Sequence, residues 1–360
     1  MKHKWLILSN LKEDPTKPAG FIQVSVNMAK ENEKMEELLP ETPEEELLGK
    51  SALSMKVSPN FKLAKTTIKV SIYYMHRLVA MDSSFLNGSN KSDPYIVARM
   101  GANEAQTEEI RDFKVGGVPF AVNKKLHVFY VSPSFIDKLT LSLMDWDKVG
   151  SNDYFGTTYI SLEDIKAGKT KEPFWAYFYG GHSDVDNEDV KTAMNTYPSA
   201  ASRFKGAVYM AIEEFSKLKY TSALEPLTKE EIIPLIRSTT KFVIFFRALT
   251  LTQLVYLDPK NTDSHSICID WGGKQVKTTQ KYLKESMATF WSFIRLSEAF
   301  YVRPMAFEES EENYTKEILP TLPDIIISVY NENRQKHVSY YKFRPEDFYD
   351  FSINQVSQAS

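Results

Sequence analysis

The chain has 360 residues, 42% of them hydrophobic and 25% charged, with a formal net charge of −3. This is the composition of a folded globular protein with room for two or three domains, and its charge excludes a nucleic-acid binder driven by global positive potential. The single cysteine, Cys268, excludes an intrachain disulfide framework and a cysteine-rich zinc site, and fits a reducing compartment.

No apolar run approaches the ~18–20 residues of a membrane span. The opening MKHKWLILSN has a basic start but only four apolar residues in a row, too few for a signal peptide. The expectation is a cytoplasmic protein that meets a membrane, if at all, from the surface. Trp5 to Leu8 and Phe21 to Val26 read as two short strands joined by a loop with Pro15, Pro18 and Gly20. A lone pair of strands is marginal in water, so residues 1–28 look like the closing pair of a larger sheet. Residues 29–65 begin with a dense run of Glu broken by Pro40 and Pro43, which argues for a solvated linker.

From 66 to 216 short apolar runs alternate with turn signals, the pattern of an antiparallel β-sandwich. Thr67 to Tyr74 is strand-like, and Asp82 follows it ahead of a loop rich in Asn, Ser and Gly. Asp93-Pro94 opens the next strand, to Met100, because Pro94 biases Asp93 towards an extended backbone. Lys125 to Val131 and Leu139 to Met144 are two more. Then comes DWDKVGSND, with Asp145, Asp147 and Asp153 on one loop, and a further strand from Phe155 to Ile160. Three carboxylates that close repel one another, and burying any of them raises its pKa. A solvated acidic loop tolerates this; a divalent cation removes it, and Ca²⁺ accepts carboxylate oxygens in forgiving geometry.

These residues resemble the C2 domain. The order strand–Asp82–loop–SDPY–strand, then strand–D-W-D-x5-D–strand with Gly156 after it, is similar to that family's pattern. The likeness implies that Asp82 and Asp93 of a first loop join Asp145, Asp147 and Asp153 of a third as calcium ligands. The segment from Asp82 to Asp93 is longer than in short-loop members. The likeness also implies membrane contact by Phe85 and Leu86 in the first loop and Val149 in the third, with Lys91 and Lys148 beside them. A first loop that folds back and buries Phe85 and Leu86 is the other reading. With five carboxylates converging, each pair at ~4 Å would repel by roughly 4 kcal/mol at an effective dielectric near 20. A bound Ca²⁺ would reverse that charge and admit anionic headgroups.

The resemblance extends to the ferlins. KWLILS and GFIQVSV (4–9 and 20–26) are similar to the end of a ferlin C2 domain, and the pair recurs as FWAYFYGG and GAVYMAIEEF (174–181 and 206–215). Residues 322–348 resemble the FerB segment, and the acidic linker sits where ferlins carry FerI. This implies a chain made of the end of one C2 domain (1–28), a FerI-like linker (29–65), a full C2 domain (66–216), a helical linker (217–240) and a FerB-like unit (241–352). The last is expected to be a smaller mixed α/β unit or a degenerate β-sandwich.

Within that frame, residues 182–205 read as a polar surface loop; Asp184 and Asp186 lack the Gly and the Glu of an EF-hand. Thr228 and Glu231 form a capping-box pattern ahead of Ile232, Ile233, Leu235 and Ile236, which predicts a short helix. Leu283, Met287, Phe290, Trp291 and Ile294 recur at helical spacing and predict a buried-face helix within 281–303. Residues 324–330 and 338–343 predict a hairpin turning at NENRQK. The six histidines, His3, His76, His127, His182, His265 and His337, are scattered, and no titratable constellation stands out in the last unit. No G-x-S-x-G, P-loop, H-E-x-x-H or kinase signature occurs, so the chain reads as a non-enzyme. Two functions stand. One is calcium-dependent binding to anionic phospholipid membranes, with partners in the fusion machinery. The other is a calcium-independent C2 scaffold for a protein partner.

Overall fold

The computed structural model describes residues 4–10, 14–24, 64–79, 91–110, 113–114, 118–132, 136–146, 153–215, 222–235, 238–246, 249–251, 263–282, 288–290 and 294–348. The protein is mainly β with antiparallel sheets, as its sequence pattern predicts. At the N-terminus β1 (Lys4–Asn10) pairs antiparallel with β2 (Asp14–Val24) as a separate two-stranded sheet.

The first large unit runs β3 (Ala64–His76), β4 (Lys91–Ser92), β5 (Pro94–Met100), β6 (Asn103–Gln106), β7 (Phe113–Lys114), β8 (Phe120–Ser132), β9 (Lys138–Asp145), β10 (Asp153–Ser161), β11 (Phe174–Gly180), β12 (Arg203–Phe215) and β13 (Leu224–Pro226). Nine of these follow the order β13-β8-β3-β12-β11-β10-β9-β5-β6. Between β10 and β11 the register holds a single pair, Thr157 with Tyr179, and the sheet folds into two layers there. The period of two then sorts the side chains. Ile68, Val70 and Ile72 of β3, Leu139, Leu141 and Leu143 of β9, and Val208, Met210 and Ile212 of β12 all point into one core between the layers. Lys69 and Tyr73 belong to the opposite face of β3, where Tyr73 packs on Tyr209.

Residues 182–205 are more than the expected polar surface loop. They carry helix α2 (Glu188–Thr196; the short α1, Leu162–Lys166, lies between β10 and β11), capped by the Asn187 side chain, which accepts from the Val190 N–H at 3.0 Å. Asn195 is buried and accepts the Gly181 N–H at 2.8 Å, which fastens the helix to the end of β11. Polar composition pointed to solvent; the polar groups instead satisfy backbone donors inside the fold.

The predicted helix after Thr228 does not form over the described residues 228–235; Ile236 lies outside them. One arm of its capping box does: Thr228 N–H donates to Glu231 Oε2 at 2.9 Å, while the N–H groups of Glu231 and Ile232 reach the Thr228 carbonyl rather than its hydroxyl. Pro234 then disfavours helical backbone at Ile233, so the single turn is not extended. The Tyr74 hydroxyl serves the backbone instead, donating to the Ile233 carbonyl and accepting from the Leu235 N–H. Just upstream, β13 adds to the sheet edge beside β8, in the stretch expected as a linker.

The second unit comprises β14 (Thr240–Phe246), β15 (Leu249–Leu251), β16 (Ser264–Trp271), β17 (Lys274–Lys277), β18 (Lys281–Tyr282), β19 (Ala288–Phe290), β20 (Ile294–Phe300), helix α3 (Glu311–Ile318), β21 (Ile325–Asn331) and β22 (Lys336–Phe343). The strands β17-β16-β21-β22 form its main sheet, with β18 beside β16, and the predicted hairpin is β21–β22. No helix is found among the described residues of 281–303, which form β18, β19 and β20 and an irregular stretch at 301–303; Leu283, Met287 and Trp291 lie outside the described residues. Ile294, Leu296 and Phe300 are buried while Arg295 is exposed, and β14 pairs along the whole of β20. Tertiary pairing decides what a helical spacing of apolar residues leaves ambiguous. The helix that does form, α3, is capped by Ser310. Trp271, Phe300, Tyr314, Ile318 and Ile325 share the core, and the Trp271 indole N–H reaches the Pro323 carbonyl at 3.0 Å.

The two units pack together. Phe204, Tyr179 and Ala207 of the first meet Ile326 and Tyr340 of the second. Tyr179 Oη accepts the Asp324 N–H at 2.7 Å, and Tyr340 donates to the Ala200 carbonyl. Arg77, at φ +56° just past β3, donates to the carbonyls of Gly272 (2.9 Å) and Ala299 (2.7 Å) and to Glu298 Oε1 (2.7 Å), with its guanidinium over the Phe300 ring.

Candidate functional site

The aspartate-bearing loops leave from one end of β5, β9 and β10. Antiparallel register sets what meets there. Asp145, the last residue of β9, lies opposite Pro94 on one side and opposite Asp153 on the other. Asp93, Asp145 and Asp153 therefore belong to three adjacent strands at one sheet end, although 60 residues of sequence separate the first from the last. Asp145 is only 2% exposed, and its Oδ1 accepts the Asp93 N–H at 2.7 Å. The Trp146 N–H donates back to the Asp93 carbonyl at 3.1 Å. A buried carboxylate needs such donors, because burial without them penalises the charged form.

The support for this end is aromatic. Trp146 packs with Tyr95, Val97, Met144 and Tyr154 on the outer face of the same three strands. Between Tyr154 and Gly156 the β9–β10 register shifts, and that shift aligns Asp153 with Asp145. Gly156 is needed there: a Cβ would lie 2.4 Å from the Tyr179 carbonyl oxygen, a backbone atom with little room to retreat.

The segment that leads to Asp82 starts from a fixed root. Leu78 is buried, and the Val79 N–H donates to the Lys205 carbonyl at 3.0 Å. Asp82, Phe85, Leu86, Asp147, Lys148 and Val149 themselves lie outside the described residues. Lys91 is placed by its backbone in β4, beside Lys114 of β7. The structure thus brings Asp93, Asp145 and the strand position of Asp153 to one edge. Carboxylate oxygens are the donors that Ca²⁺ takes, so these residues fit that ion.

The sequence profile of the C2 domain matches residues 66–176. That stretch holds β3 to β10 and the aspartates at their ends. Residues 66–176 form a C2 domain. Over 260 residues the chain is 22% identical to myoferlin of Mus musculus, which covers 64% of this chain and 12% of that protein, so the chain spans only a small part of the length of this curated relative. Among solved structures, the two tandem C2 domains of extended synaptotagmin 2 align over 79% of this chain and 80% of theirs at 14% identity and a TM-score of 0.30. A C2 domain of plant extended synaptotagmin 1 aligns over 42% of this chain and 96% of its own at 13% identity and 0.29. Human GIVD cytosolic phospholipase A2 aligns over 78% of this chain and 27% of its own at 9% identity and 0.26. No helix among the described residues is long and apolar enough to cross a membrane.

Sequence reading missed a second group, where the 181–202 segment meets β22. His182 stacks on His337, ring centroids 3.6 Å apart, and Asp184 Oδ2 accepts from the His337 Nδ1–H at 2.9 Å. These are two of the six histidines that looked unrelated, and they give the last unit a share in a titratable constellation. Burial, the neighbouring His337 and Arg203 push the His182 imidazole down to about 3, so it is neutral at pH 7. Burial works to raise the Asp184 carboxyl, but the backbone and ring N–H groups of His337 outweigh it and hold it low. Nearby, burial beside Arg203 and Lys191 brings the Lys205 ammonium down to about 7, and burial raises the Asp270 carboxyl. The H-x-D spacing of 182–184 was legible in the sequence. Its partner His337, 153 residues beyond Asp184, was not.

Proposed function

We propose that this C2 domain binds Ca²⁺ through Asp82, Asp93, Asp145, Asp147 and Asp153 and then docks on anionic phospholipid membranes. The observation that carries the reading is the register that sets Asp145 between Pro94 and Asp153 at one sheet end. Bound Ca²⁺ supplies the positive charge and the open coordination positions that phosphate oxygens fill. The chain's own part is to gather Asp93, Asp145 and Asp153 at the ends of three adjacent strands. It also presents Phe85, Leu86 and Val149 to the interface and offers Lys91 and Lys148 to the anionic surface, at about 1 kcal/mol each. The ferlin likeness supports a role at the cytoplasmic face of a membrane, in vesicle fusion or membrane repair, beside protein partners of that machinery.

The test is Ca²⁺ titration by calorimetry beside flotation with phosphatidylserine vesicles, with and without EGTA. The expected result is saturable calcium binding that switches flotation on, with both lost in the Asp145→Asn/Asp147→Asn double variant. No heat and calcium-independent behaviour would overturn the reading in favour of a scaffold that holds a protein partner.

A further inference from the structure

We propose that His182, Asp184 and His337 form a transition-metal site, of the Zn²⁺ class, that staples the first unit to the second. One potential ligand atom from each of the three residues can be chosen such that all lie within 4.8 Å of one another. His182 and Asp184 come from the segment after β11, and His337 comes from β22 of the other unit. The three are buried or half-buried.

The donor set decides the metal. Two imidazoles and one carboxylate suit Zn²⁺ and its first-row neighbours, whereas Ca²⁺ and Mg²⁺ take oxygen ligands. The site is therefore chemically distinct from the aspartate edge of β5, β9 and β10, and it does not rest on the function proposed for that edge. Three protein ligands leave a fourth tetrahedral position for water.

A further observation points to a ligand. Asp184 uses only one oxygen within the protein: Oδ2 accepts both the backbone N–H of His337 (2.7 Å) and its Nδ1–H (2.9 Å). Its Oδ1 is buried with no hydrogen-bond partner, an expensive arrangement for a carboxylate. The imidazoles lie nearly parallel, at 16°. Ligation needs a turn about χ2, a broad and soft torsion, to make the two lone pairs converge. Tyr330 lies edge-on to His337 at 5.0 Å, and Lys336 pairs with Asp186 at the rim. Arg203 and Lys205 oppose a cation here, so binding should be weaker than at a closed four-ligand structural site.

The ligands converge only when the two units are docked, so metal binding and docking are one linked equilibrium. The test uses the full chain, stripped with a chelator and titrated with Co²⁺ and then Zn²⁺. The expected result is one Co²⁺ per chain with the visible absorption of a tetrahedral ion, displaced by Zn²⁺ and unaffected by excess Ca²⁺. Zn²⁺ should also raise the thermal midpoint. His182→Gln and His337→Gln should each weaken binding by more than about tenfold, while Asp145→Asn should not. Absence of a saturable tetrahedral Co²⁺ spectrum in the wild type overturns the proposal, and this outcome does not depend on any variant folding. Equal binding by wild type and both folded glutamine variants overturns it too.

Discussion

The backbone N–H of Asp93 donates to the Oδ1 of Asp145 at 2.7 Å, which joins two loops 52 residues apart in sequence through a carboxylate that is almost wholly buried. The side chain therefore has two separable tasks. Its oxygen holds the start of β5, and its charge is what a cation would use. Asp145→Asn keeps an acceptor for the Asp93 N–H and removes the charge. It should leave the stability within about 0.5 kcal/mol of wild type and weaken Ca²⁺ binding. Asp145→Ala removes both and should cost about 1.5–3 kcal/mol, the range for a hydrogen bond to a charged group. Urea unfolding beside calorimetry separates the two. Equal destabilisation by both variants would show that the charge, not the hydrogen bond, holds the loops.

Gly156 sets the register by which Asp153 faces Asp145. A methyl group at this position meets the Tyr179 carbonyl oxygen at 2.4 Å, across the fold between β10 and β11. Gly156→Ala should therefore destabilise the domain by about 1–3 kcal/mol through displacement of β10 against β11. It should also weaken Ca²⁺ binding, although residue 156 is no ligand. Ca²⁺ affinity equal to wild type in a folded Gly156→Ala protein would break the link between this bulge and the site.

Arg77 connects the root of the first loop to the second unit. It sits in the left-handed region, which costs a non-glycine residue roughly 1 kcal/mol. Its contacts with Gly272, Ala299 and Glu298 outweigh that cost. Arg77→Lys keeps the charge but loses the planar fork that serves three acceptors at once. The expected outcome is a loss of about 1.5–3 kcal/mol and separation of thermal unfolding into two transitions, read by calorimetry. A single unshifted transition would show that the apolar contact of Phe204 and Ile326 suffices to couple the units.

Local pattern carried the first unit. The alternation of Leu139, Leu141 and Leu143 read directly as a strand, and Pro94 and Gly156 marked its neighbours, because strand period and turn chemistry are properties of a few adjacent residues. The aspartates could be named singly, but that Asp145 lies beside both Pro94 and Asp153 is a fact of register, which sequence does not print. Where local pattern failed, a distant partner decided. Leu283 to Ile294 carry helical spacing, yet β14 draws Ile294–Phe300 into a ladder. Thr228 and Glu231 make the start of a helix that Pro234 stops. His182 and His337 had no visible connection, because the two units had first to dock before the rings could stack.

Lys205 is buried in the first unit, on β12 near the junction with the second, and its ammonium is brought down from 10.5 to about 7 by burial first and then by Arg203 and Lys191, with Asp270 pulling the other way. The sign of the pH effect follows from proton counts. Between pH 7 and 10.5 the unfolded chain holds the lysine proton and the folded chain does not, so stability rises with pH across that window. Below about 7 both states are protonated and the full penalty of a buried charge is in place. Asp270, raised by burial, acts with the opposite sign from its ordinary value of 3.8 upward. The comparison with a variant, not the wild-type curve alone, isolates the lysine. Lys205→Met fills the same volume without charge and should be more stable than wild type by about 1–4 kcal/mol at pH 7. The gap should narrow steadily towards about pH 10, because the proton that folding must remove from the wild-type lysine is held less and less tightly in the unfolded chain. Chemical denaturation of both proteins in steps from about pH 6 to about pH 10 measures it. A gap that stays constant over this range would mean that Lys205 keeps its proton in the folded chain and that Asp270 compensates it fully.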